Sequence, residues 1–141
     1  MLIEIASLRN LSQSLDTVDI LCDRSYLLGN PFDLRHEKDR DKVCDAFDEW
    51  LETNLRYYDG GLNKVVPLDK WIEEGMIIAA TFKNPKPQAV YKKLEEILSY
   101  LIQGKKVRLL CWCHPKRCHT LSIKRVLESM MEKAVTRKPQ P

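Results

Sequence analysis

Between two stretches of helical periodicity the chain holds one short, almost wholly apolar run, Val107-Arg108-Leu109-Leu110-Cys111-Trp112-Cys113, and that order leaves few folds open. Upstream, Val90, Leu94, Ile97, Leu98 and Leu101 recur at i, i+4, i+7, i+8 and i+11, one face of a helix that begins around Asn84-Pro85-Lys86-Pro87, with Asn84 as candidate N-cap, and stops at Gly104. Downstream, Ile123, Val126, Leu127, Met130 and Met131 mark the buried face of another helix. A brief β-rich run between two amphipathic helices reads as a strand covered on both faces.

The same alternation recurs earlier. Val18-Asp19-Ile20-Leu21-Cys22 is a second core strand, and Leu2 to Ile5 suits a short opening strand or a first helical turn. The charged stretch His36 to Lys42 opens a helix whose apolar positions Val43, Phe47, Trp50 and Leu51 lie on one face, ending near Tyr57-Tyr58 before Asp59-Gly60-Gly61. Trp50 and Cys44 are expected to be packing residues. Strands alternating with helices predict an α/β protein, a single three-layer Rossmann-like domain over residues 1–133 with a mostly parallel sheet. Residues 59–82 are expected to form an insertion or lid, with a short helix at Leu68 to Glu74 and a strand at Met76 to Phe82, and residues 134–141 a flexible basic tail.

At 141 residues, 44% apolar and 30% charged, the chain is sized and composed for one soluble globular domain. No apolar run approaches the ~18 residues that cross a bilayer, and the start of the chain does not have the layout of a secretory signal, so a cytoplasmic protein is expected. Five cysteines, three of them within eight residues, suit reduced thiols better than a disulfide framework. The net charge of +3 is slight and spread along the chain, so neither a nucleic-acid nor a membrane partner is indicated.

If the runs at Val18 and Val107 are parallel neighbours, the loops that follow them leave at the same C-terminal sheet edge, where open α/β sheets bind ligands. Asp23 to Phe32 is then the first loop. Its large apolar residues Leu27, Leu28 and Phe32 either fold it onto the core or hold Arg24 and Asn30 at the strand end. The second loop, 113–119, leads into a helix starting near Cys118, His119 or Thr120, whose first amides favour an anion or a thiolate. Lys116 and Arg117 add positive charge. A small anionic ligand is the expected partner.

Four roles compete for the thiols. Cys111, Cys113, Cys118, His114 and His119 include enough soft ligands for zinc, but the spacing has no Cys-x-x-Cys knuckle, and residues 111 and 113 are expected on one strand face. No metal or other cofactor is therefore expected. Cys111 to Arg117 formally matches Cys-x5-Arg, a phosphate-binding nucleophile loop, yet it contains no glycine and Pro115 removes an amide donor. His119 at a helix start, assisted by Cys118, suits acid–base or ligand contact. Plain packing is the remaining role. It is assigned to Cys111, while Cys113, Cys118 and His119 are the candidate reacting groups.

Asp23-Arg24, Gly29-Asn30-Pro31-Phe32, the charged helix ending in Trp50-Leu51, Gly104-Lys105, and Cys111-Trp112-Cys113-x-Pro115-x-x-Cys118-His119 together resemble the bacterial and phage family domain of unknown function 4326, over roughly residues 18–128. The Cys-His pair followed by a helix is also similar to domain of unknown function 488. The resemblance implies a Rossmann-like fold of the nucleotide-handling kind and no defined reaction. Thr120-Leu121 stand where the family often has a small and then an acidic residue, which weighs against an acid-assisted step, and residues 59–82 are longer than usual, suiting a lid or a contact between subunits of a homo-oligomer. The expected function is binding, with hydrolysis or group transfer, of a nucleotide-like or phosphorylated ligand positioned by Arg24 and Asn30, met by Lys116 and Arg117, and lined at its reacting end by Cys113, Cys118 and His119. The alternatives are a non-catalytic interaction or nucleotide-sequestering protein and a zinc-stabilised nucleic-acid-binding module.

Overall fold

The computed structural model describes residues 2–10, 16–22, 27–113 and 116–136. Within them, three strands, β1 (Ile3–Ser7), β2 (Thr17–Leu21) and β3 (Lys106–Cys111), form one parallel sheet in the order β1-β3-β2. The last strand in sequence is thus the central one. Ile5 and Ile20 both align with Leu109, so the two outer strands run in step beside it. As a central strand should be, β3 is buried from Val107 to Cys111.

One residue in β3 breaks the apolar pattern. Arg108 is buried, and its guanidinium donates from Nε and Nη2 to the two carboxylate oxygens of Asp19 on β2, each at 2.8 Å. That bidentate pair is what lets a cation sit within the sheet.

Four helices among the described residues complete the α/β fold: α1 (Arg40–Asp59), α2 (Asp69–Glu73), α3 (Pro87–Ile102) and α4 (Thr120–Thr136). None is long and apolar enough to cross a membrane. The periodicities resolve as expected, with Val43, Phe47, Trp50 and Leu51 of α1, Val90, Leu94, Ile97 and Leu101 of α3, and Ile123 and Leu127 of α4 all in one core with β3. α3 and α4 both pack on β3, and α4 also meets β1. α3 stops where Gly104 turns to a φ of +81°, allowing the Lys105 amide to reach back to the Tyr100 carbonyl at 3.0 Å.

Several local expectations change. Asn84 does not cap α3: Lys86 occupies the N-cap position and Pro87 the first turn, while the Asn84 side chain donates to the Val66 carbonyl at 2.8 Å. Met76 to Phe82 is not a strand. Ile78 makes a single antiparallel bridge with Phe32, supported by Asp33 N–H to the Ile77 carbonyl and Ala79 N–H to the Pro31 carbonyl. A β-rich composition there serves to fasten the Asn30 loop, and Val66, Trp71 and Met76 anchor the segment in the common core. β3 ends at Cys111, two residues earlier than expected, because Cys113 lies in a turn closed by the Lys116 amide on its carbonyl at 2.9 Å. Cys111 and Cys113 therefore do not share a pleated face. α4 continues to Thr136, and the rest of the expected tail lies outside the described residues.

Candidate functional site

β2 and β3 finish side by side, with Leu21 aligned to Leu110 and the Cys22 amide donating to the Leu110 carbonyl at 3.0 Å. The two following loops consequently leave from one edge. Against them stands the first turn of α1, and between these elements lies a cavity of about 420 Å³. All five cysteines line it: Cys22 after β2, Cys44 on α1, Cys111 at the end of β3, Cys113 in the turn, and Cys118 before α4. All five are thiols rather than disulfides. Phe32, Leu34 and Val43 supply apolar wall, and Trp112, 51% exposed, stands at the rim.

At the buried end, His119 is held from three sides. Its Nε2 is 2.6 Å from the Cys22 carbonyl oxygen, its Nδ1 is 3.2 Å from the Cys118 sulfur, and its ring meets that of Phe47 edge-on at 4.9 Å. A carbonyl oxygen can only accept, so Nε2 carries the proton and the neutral ring presents Nδ1 as an acceptor to the Cys118 thiol. This is a thiol, a base and a group that orients the base, the arrangement in which a sulfur nucleophile can be deprotonated. The hydrogen bonds with Cys111 and Cys113, together with burial, push the Cys118 thiol well up, against a lowering pull from the Thr120 amide. Cys118 is thus a thiol whose proton can go to His119, rather than a standing thiolate. Thr120, itself buried, directs its hydroxyl to the Cys111 sulfur at 3.8 Å.

The cations are placed differently from the sequence expectation. Lys116 is exposed and pairs with Glu37 at 3.1 Å instead of lining the cavity. Arg117 does line it, but its guanidinium bridges Asp41 and Asp45 of α1 at 2.8 and 2.7 Å, which raises its pKa further. The guanidinium at the mouth that the sequence reading missed is that of Arg40. It donates to the Arg117 carbonyl at 2.9 Å and to both oxygens of Glu37 at 2.8 and 2.7 Å, and Glu37 and Cys113 raise its pKa further. Arg40 and Lys116 together hold the Glu37 carboxyl down to about 2.

Of the other expected residues, Asn30 is buried in the cavity wall and turns its side-chain oxygen to the Phe32 amide at 2.9 Å. Arg24 lies outside the described residues. Cys113, Cys118 and His119 are brought together as expected, and Cys111 is buried beneath them. Cys44 is buried, as a packing residue should be, and it also lines the cavity, its thiol pointing to the Arg117 carbonyl at 3.8 Å. A signal for Arg40 was present: Arg40, Val43, Cys44 and Phe47 fall at i, i+3, i+4 and i+7, so the arginine continues the buried stripe of α1 into the cavity.

Arg117, the arginine of the Cys-x5-Arg pattern, has its guanidinium turned to two carboxylates of α1. Among the described residues no group of three histidine, cysteine or acidic side chains is disposed to hold a metal ion.

The comparison with curated proteins and that with solved structures each returned no match. The model of one family does match, over residues 6–129, a span that takes in all three strands' shared edge, both loops and the start of α4. The chain belongs to the family Domain of unknown function (DUF4326).

Proposed function

We propose that the chain binds a small anionic molecule, nucleotide-like or otherwise phosphorylated, in the cavity at the C-terminal ends of β2 and β3, and that Cys118 and His119 hydrolyse it or transfer part of it. One observation carries the reading: a cavity of ligand size at the edge of a parallel sheet joins apolar wall, the Arg40 guanidinium and an oriented thiol–imidazole pair. Phe32, Leu34 and Val43 suit the flat apolar part of such a ligand, and Trp112 can close over it. Arg40 suits its charged part as a cation at the cavity wall, its planar fork shared with the exposed Glu37 carboxylate that a phosphate would have to displace. Asn30 positions, and Cys113 lines the same cavity as the charge and the reacting pair. Five thiols without a disulfide support a reducing, cytoplasmic setting.

The test is a thermal-shift screen of the reduced protein against nucleotides and sugar phosphates, followed by product analysis. Arg40→Gln is expected to reduce the shift, and His119→Gln to keep much of the shift while abolishing turnover. Equal shifts in wild type and Arg40→Gln would remove the assigned charge contact. A ligand recovered unchanged after prolonged incubation would make the protein a binder that sequesters its ligand.

A further inference from the structure

Five cysteines in 141 residues would not ordinarily meet, yet here five separate positions of the chain place all of them on one cavity. Four are buried, and Cys113 alone is half-exposed. Cys113 also has the contacts of a reactive thiol. The Arg40 guanidinium lines the cavity with it and interacts electrostatically with it, the kind of neighbour that favours a thiolate, and the Lys116 amide donates to its carbonyl at 2.9 Å. Cys118 lines the same cavity, close enough to Cys111 and Cys113 for both to push its thiol up, and His119 Nδ1 is 3.2 Å from its sulfur. An accessible thiol beside a cation, backed by a buried thiol beside a base, is a division of labour that ligand binding does not require.

We propose that Cys113 and Cys118 form a dithiol couple that exchanges with small-molecule disulfides, Cys113 attacking and Cys118 resolving. The Cys113 thiolate attacks one sulfur of the incoming disulfide: a bond forms from Cys113 Sγ to that sulfur, the disulfide breaks, and one thiolate leaves. Cys118 then passes its proton to His119 Nδ1 and attacks Cys113 Sγ. The Cys113–Cys118 bond forms, the second thiolate leaves, and the proton on His119 is released to it or to water. Two protein thiols are oxidised and one disulfide is reduced to two thiols. In reverse, the same steps make the protein an oxidant of small thiols. The couple shares residues with the proposed ligand site but does not depend on the identity of that ligand.

The test uses the full, reduced chain with glutathione disulfide as probe, a chelator present and no nucleotide, quenched with acid and alkylated before peptide mass mapping. Wild type is expected to release two equivalents of glutathione and yield a Cys113–Cys118 disulfide. Cys118→Ser is expected to accumulate a glutathione adduct at Cys113. Cys113→Ser and Arg40→Gln should each slow the reaction about tenfold or more, with circular dichroism confirming the native fold. His119→Gln should leave the first step fast and let the adduct accumulate with Cys118 in place. Oxidation of Cys113→Ser at the wild-type rate, a disulfide mapped to Cys111–Cys118, or no adduct in Cys118→Ser would overturn the proposal. Because ligand binding is read on the reduced protein without glutathione, either result can fail while the other stands.

Discussion

α3 and the start of α4 pack on the same strand, β3, yet they are made of different material. The buried side of α3 is Val90, Leu94, Ile97 and Leu101, with no polar side chain among them. Where α4 begins, the buried residues ahead of Ile123 are Cys118, His119, Thr120 and Ser122, every one carrying a polar or reactive atom. Burying such groups is unfavourable unless each finds a partner, and His119 and Thr120 do so through the Cys22 carbonyl and the Cys111 sulfur. One end of the molecule is thus organised to stay folded. The other is held together by contacts that also set a tautomer and aim a thiol.

The comparison breaks if truncation in the two regions has the same consequence. Leu94→Ala is expected to have the largest effect on stability, a loss of about 3 kcal/mol in urea unfolding, with ligand response per folded molecule unchanged. A loss below about 1 kcal/mol would mean that α3 is not the packed side. Asp19→Asn comes next. It removes the carboxylate that neutralises buried Arg108, in the strand both helices share, and should cost about 2 kcal/mol at neutral pH. The Arg108 hydrogen bonds hold the Asp19 carboxyl below its usual 3.8. Its contribution is therefore complete above that value and lost as pH falls through the lower folded-state pKa, so the variant should show a flatter acid limb than wild type. An unchanged acid limb would assign acid sensitivity to other carboxylates. The smallest stability effect belongs to Trp112→Ala at the cavity rim, within about 0.5 kcal/mol, but it should visibly weaken the ligand-induced thermal shift. An undiminished shift would take Trp112 out of the site.

The stable region was readable from sequence because its signal is periodic: Val90, Leu94, Ile97 and Leu101 repeat at helical spacing whatever their neighbours do. The site was readable only in part. Cys113, Cys118, His119 and Asn30 could be placed at one edge from the order of strands and loops alone. The end of β3 could not, since Trp112 and Cys113 continue an apolar run without marking the point where pairing stops. Arg40 and Arg117 were harder still, because a charged stretch on a helix normally reads as a solvated face. Which arginine turns inward is decided by carboxylates far from Arg117 in sequence, Asp41 and Asp45, that draw its guanidinium away. Met76 to Phe82 has strand composition, and the single bridge it makes depends on where the Asn30 loop happens to lie.

Among the described residues β3 is the last strand in sequence and the one with which both others pair. Ile3 and Val18 each pair with Val107, so the described sheet cannot form until β3 has been synthesised. Until then α1 and α3 can gather their apolar faces as a helical intermediate, while β1 and β2 keep open edges that invite pairing with other chains. Folding is therefore expected to be slow for a protein of this size and to finish from the C-terminal side, with the cavity assembled in the final step.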